Sequence, residues 1–183
     1  MGQANFFKKR ELFWVREALE VAETLAENYF SVDLGDVERY PYDLQTLVNL
    51  RGLEVTDRAL AQVCKYECRR GASPRGLGGS EFYRICIQDH KILNAGRMEP
   101  SSLLKPLILY VITHELIHVI RFSLDPHRFH LNPKEREFEE RNVHRATYEL
   151  LRTLQDPQVA LLLDRYRPWW GKSMEPDSAD AGS

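Results

Sequence analysis

The chain has 183 residues, 43% of them hydrophobic and 28% charged, a balance that excludes a disordered or fibrous polymer. Lys and Arg number 25 against 27 Asp and Glu, a formal net charge of −2. That balance, with only Lys8-Lys9-Arg10 and Arg69-Arg70 as basic runs, argues against a nucleic-acid partner. Three cysteines (Cys64, Cys68 and Cys86) do not make a disulfide framework. No apolar stretch with a small-residue cleavage site follows Met1, so a secretory signal is not expected. The most apolar stretch, Leu103–Ile120, is interrupted by Lys105, Pro106, His114, Glu115 and His118, which are costly in a bilayer. The expectation is a cytoplasmic protein with no membrane partner; the oligomeric state is not legible.

In chain order, residues 5–30 predict one amphipathic helix, with Leu12, Val15, Leu19, Ala22, Ala26 and Tyr29 at helical spacing and four glutamates elsewhere on the wheel. Ser31 to Tyr42 reads as a loop. A short helix is expected from Asp43 to Leu50, and another from Thr56 to Arg70, where Thr56 would cap and Gly71 would stop it. Cys64 and Cys68 would then share a helix face, as small buried hydrophobes rather than ligands. Residues 71–80 hold four glycines and a proline and read as a linker or a flap. Their Gly76-Leu77-Gly78-Gly79 lacks the residues of a nucleotide-binding loop.

Glu81 to Gln88 alternates as a strand, with Asp89-His90-Lys91 as its turn and Ile92-Leu93 opening a returning strand. Ser101 to Phe122 is apolar nearly all round and predicts a buried helix that stops at Asp125-Pro126. A loop over 127–133 leads to a helix from Pro133 to about Gln155. A last helix covers about 157–166, Trp169 and Trp170 are expected to dock on the core, and 171–183 reads as a disordered tail. The whole predicts one α+β domain over 1–170, mostly helical with a small antiparallel sheet, comprising a helical part (5–70) and a catalytic core (81–155).

Within the apolar helix stands His114-Glu115-Leu116-Ile117-His118, an HExxH motif. Residues i and i+4 share a helix face, so both imidazoles can bind one metal ion, and Glu115, about 100° round the wheel, can reach a metal-bound water. An unpaired polar group in such a helix costs a few kcal/mol, so the stripe calls for a partner. A catalytic zinc needs a third protein ligand and an open position. The HExxHxxGxxH extension fails, because Arg121 and Leu124 stand where its glycine and third histidine would be.

The following helix supplies the alternatives. Reading back one turn from Val143 on the stripe Val143, Thr147, Leu150, Leu154 lands on Glu140. Glu140 is the preferred third ligand, with His144 and Glu137 behind it, then Glu135, His127 and His130. Glu139 is expected to be solvated or paired with Arg136 or Arg141. His144, Tyr148 and Arg121 are candidate donors to an oxyanion. Strand 82–88 could offer an edge to an extended peptide.

An HELIH motif on a buried helix, followed about twenty residues later by a Glu-rich helix, resembles the zincin superfamily of metallopeptidases. More narrowly, it is similar to the gluzincin type, including its small cytoplasmic antirepressor and radiation-response regulators. The resemblance spans about residues 81–155. It implies a zincin-like fold and one Zn2+ per chain on His114, His118 and a downstream glutamate. It also implies a zinc metallopeptidase in which Glu115 is the general base acting on a zinc-bound water, with a peptide or protein substrate. The alternative is a non-hydrolytic zinc-binding interaction or regulatory protein whose HExxH site is vestigial.

Overall fold

The computed structural model describes residues 6–67 and 81–171, with 167–171 as backbone only. The expectations for Cys68, the stretch 71–80, the Trp169 and Trp170 side chains and the tail beyond 171 therefore lie outside the described residues.

Helix α1 (Lys9–Phe30) starts where the Glu11 carboxylate accepts the Lys8 amide at 2.9 Å. Its buried stripe is Val15, Ala18, Ala22 and Ala26, whereas Leu12 and Tyr29 are exposed. The stripe is thus turned from the expected one, because three alanines let α1 lie close against α3 (Leu104–Leu124). Ser31, in the left-handed region at φ 54°, ends α1.

Two expected helices are strands. Tyr42–Thr46 forms β1, followed by a 3-10 turn at Leu47–Asn49, in place of a helix over 43–50. Ala61–Glu67 forms β2 in place of a helix over 56–70. Both pair with β3 (Glu81–Ile87), the strand that the alternation of 81–88 predicts. β1 runs parallel to it, with Leu44 opposite Ile85, and β2 antiparallel, with Val63 opposite Ile85. The sheet order β1-β3-β2 is therefore mixed rather than antiparallel, and β3 lies in the centre. Pairing decides these segments. A five-residue segment gains little as an isolated helix, while sheet hydrogen bonds and the Arg84–Asp43 ion pair at 2.8 Å hold it extended.

The expected return strand at Ile92-Leu93 is instead inside helix α2 (Asp89–Met98). Asp89 begins it with a buried carboxylate that accepts the amides of Phe7 and Leu47, both at 2.9 Å. One carboxylate so ties the N-terminus, the end of β1 and α2 together.

α3 is buried on nearly every side, as its composition predicts, and α1, the sheet, α4 (Pro133–Leu151) and α5 (Pro157–Gly171) pack around it. By length and composition it is the one helix among the described residues long and apolar enough to cross a membrane; 83% of its apolar window is buried inside the protein. A 3-10 segment, Pro126–His130, leads from α3 toward α4. Asn132 caps α4 by accepting the Lys134 and Glu135 amides at 3.0 Å, with Pro133 in its first turn. α4 stops at Leu151, short of Gln155, because a 3-10 turn at Arg152–Leu154 and a left-handed Gln155 redirect the chain.

Candidate metal centre

α3 carries His114, Glu115 and His118 at the point where it passes both β2 and α4, and all three are buried. The i, i+4 spacing brings the two imidazoles together, with Nε2 of His118 3.2 Å from Nε2 of His114. Glu140 of α4 closes the triangle. Its carboxylate oxygens lie 3.4 Å from His114 Nε2 and 3.3 Å from His118 Nε2. These three residues form a cluster that could hold a metal ion.

The triangle can be tested against metal geometry. Tetrahedral bonds of about 2.0–2.1 Å to nitrogen and oxygen separate neighbouring ligand atoms by about 3.3–3.4 Å. The sides of 3.2, 3.3 and 3.4 Å fit that requirement, so the residues present suit one small divalent cation.

The rings are oriented mainly by packing. His114 packs against both Tyr110 and His144, its ring centroid 6.1 and 4.5 Å from theirs, and His118 stacks on Phe122 at 5.4 Å. The Nδ1 atoms of His114 and His118 are buried and meet no hydrogen-bond partner among the described residues. The second-sphere acceptors that commonly fix a ligand's tautomer are thus replaced here by aromatic contacts.

Burial pushes the His114 imidazole down to about 4, with His118 and His144 adding to the effect against the pull of Glu140, so it is neutral at pH 7. A neutral imidazole is the form that binds a metal. At His118 burial works against the charge, but the carboxylates of Glu140 and Glu115 outweigh it and lift the group above its ordinary value. Burial would raise Glu140 too, yet the two histidines hold it well below the usual carboxylate range. It therefore faces them as an anion. Glu115 behaves differently: burial pushes its carboxyl up to about 7, and it makes no hydrogen bond or ion pair among the described residues. A carboxylate so poised can take and return a proton near neutrality.

The other sequence candidates are placed elsewhere. Glu137, His127 and His130 are exposed and outside the cluster, and Glu135 closes the α4 cap by accepting the Asn132 amide at 3.1 Å. His144 lies behind His114 and shares a 2.6 Å hydrogen bond through Nδ1 with Tyr110. Tyr148 packs against the core. Arg121, a candidate oxyanion donor, is engaged by Glu139, with Nη2 donating at 2.8 Å. Glu139 is 3% exposed and also accepts from Arg128 at 2.8 Å. The expectation of a solvated Glu139, or one paired with Arg136 or Arg141, is therefore incorrect. The two arginines that bury it come from α3 and the 3-10 segment, which periodicity along α4 cannot reveal.

A groove of about 600 Å³ opens over His114, Glu115, His118 and Glu140. β2 forms one wall through Ala61, Gln62 and Val63, facing Phe122, Phe129 and Arg136. Strand 82–88 is flanked on both sides, so the edge beside the site is β2 rather than the expected β3. Sequence reasoning missed this wall, because Ala61, Val63 and Lys65 do not separate cleanly in polarity from Gln62, Cys64 and Tyr66 and the segment becomes a strand by pairing with β3. No family model matches this chain, and neither a curated protein nor a solved structure does so significantly.

Proposed function

We propose that the protein is a zinc-dependent metallopeptidase of zincin-like fold and gluzincin type, with His114, His118 and Glu140 as ligands and Glu115 as general base. The observation that carries this reading is the triangle of donor atoms, whose sides suit tetrahedral coordination with one position left toward the groove. A structural zinc site is closed by four protein ligands, whereas three ligands facing a groove favour catalysis over a purely structural ion.

A zinc ion held there supplies Lewis acidity, lowering the pKa of a water to about 7 and polarising the scissile carbonyl. The chain's own contributions follow from its geometry. Glu115 accepts the proton of the attacking water and returns it to the leaving amine, a role suited to a carboxyl raised to about 7. β2 has a strand on only one side among the described residues, so its other edge can hold an extended peptide by main-chain hydrogen bonds. The buried aromatic contacts around His114 and His118 keep both rings in place before substrate arrives.

Metal analysis of protein purified without a histidine tag tests the reading. About one zinc per chain is expected in the wild type and almost none in His114→Ala or His118→Ala. Protein that takes up no stoichiometric metal after incubation with zinc overturns the proposal. Stoichiometric metal without turnover of any peptide, in a protein with an intact groove, favours the non-hydrolytic alternative.

A further inference from the structure

Beyond Glu115 and the three proposed ligands, the groove carries an apolar wall and two arginines, of which Arg128 is already paired with Glu139 and Asp125. Phe122 lies one turn past His118, Phe129 meets it edge-on with centroids 5.3 Å apart, and Leu131 continues the surface. Arg136 sits one turn before Glu140, on the same side of α4, and lines the same groove. The acids on its own side of the helix, and the one just before it, are committed, and exposed Glu137 makes no pair with Arg136. Glu139 is held by Arg121 and Arg128, Glu140 faces the two histidines, and Glu135 closes the helix cap. Arg136 is exposed and has no carboxylate partner among the described residues. A bulky apolar side chain and an anion therefore have complementary surfaces within one groove.

Resting on the peptidase reading for the groove's occupant, we propose that the preferred substrate is a peptide with a bulky apolar residue next to a carboxylate. The apolar side chain lies against Phe122 and Phe129, and the carboxylate pairs with Arg136. The carboxylate can be an Asp or Glu side chain or the peptide's own C-terminus. Arg presents a fork that a carboxylate fills with two hydrogen bonds, which a neutral amide cannot match.

The experiment measures binding rather than turnover. Zinc-loaded Glu115→Gln protein is titrated, by fluorescence anisotropy, with four labelled peptides: internal Phe-Glu, internal Phe-Gln, C-terminal Phe acid and C-terminal Phe amide. At least one acid peptide is expected to bind about fivefold more tightly than its neutral counterpart, and which one does so identifies the source of the carboxylate. Adding Arg136→Gln should erase the preference, Arg136→Glu should reverse it, and Arg136→Lys should keep part of it. Replacing the peptide's Phe with Ala should weaken binding about tenfold.

Equal binding of acid and neutral peptides overturns the proposal, as does a preference that survives Arg136→Glu, or no binding of any of the four. The peptidase reading is scored separately, from wild-type zinc content and peptide turnover. Turnover without acid preference sinks only the specificity; an Arg136-dependent preference without turnover sinks only the chemistry.

Discussion

Buried Glu139 and half-buried Arg121 form an ion pair between α4 and α3, and the residue after Glu139 is the one whose carboxylate meets His114 and His118. Glu139 and Glu140 are neighbours with separate partners. The first fixes where α4 crosses α3; the second, about 100° further round, reaches the histidines as a result.

Arg121→Met should therefore act in two ways. Glu139 keeps Arg128 but loses its bidentate partner in a buried setting, for an expected loss of about 2–3 kcal/mol. A denaturant midpoint lowered at unchanged slope checks that effect. Zinc affinity should fall as well, since the alignment of Glu140 loosens. A variant of wild-type stability and zinc affinity would show that the pair does not set the helix crossing.

Among the acids of α4, only Glu140 touches both histidines. Glu140→Ala should weaken zinc binding by at least about tenfold in a chelator competition, while Glu137→Ala leaves it unchanged because Glu137 is exposed elsewhere on the helix. If His144→Ala abolishes binding and Glu140→Ala does not, the third ligand is misassigned.

Glu115→Gln retains the side chain's shape and removes its basicity. Zinc content should stay near one per chain while peptide turnover falls by about two to four orders of magnitude. A variant that cleaves at the wild-type rate contradicts the role given to Glu115.

Acid sensitivity should trace in part to Glu54. Burial would raise its carboxyl, but hydrogen bonds from Tyr66, the Arg51 amide and Arg84 outweigh that and hold it below the usual range. A group depressed in the folded state contributes stability that is present above its unfolded value and lost as pH falls through the folded one. Glu54→Gln should thus cost about 1 kcal/mol at pH 7 and give a shallower decline of stability below pH 4.5. Parallel wild-type and variant melting curves across pH 3–7 would rule this out.

The long helices were legible because each carries its own evidence. The i, i+4 repeat of α1 and the caps of α4 lie within a single segment, and the spacing of His114 and His118 on α3 does too. The position of Glu140 beside the two histidines was legible for the same reason, from one turn of α4. β1 and β2 were not, because Tyr42–Thr46 and Ala61–Glu67 become strands through β3, and Thr56 and Gly71 offered plausible helix ends nearby. Glu139 escaped for a related reason. Its partners, Arg121 and Arg128, lie 18 and 11 residues away on other elements. What pairing across elements decides, a one-dimensional pattern does not carry.

The burial of α3 has a kinetic meaning for the site. Its residues 111–120 are all buried, so their amides belong to the part of the protein that opens only with the whole. The first turns of α4, residues 133–138, are exposed by contrast. Two of the three proposed ligands thus sit on a helix expected to exchange slowly. The third follows Glu139, whose pairs with Arg121 and Arg128 stop any opening of the first turns of α4 short of it. Metal entry and release would then turn on the half-exposed side chain of Glu140, with both imidazoles waiting in place.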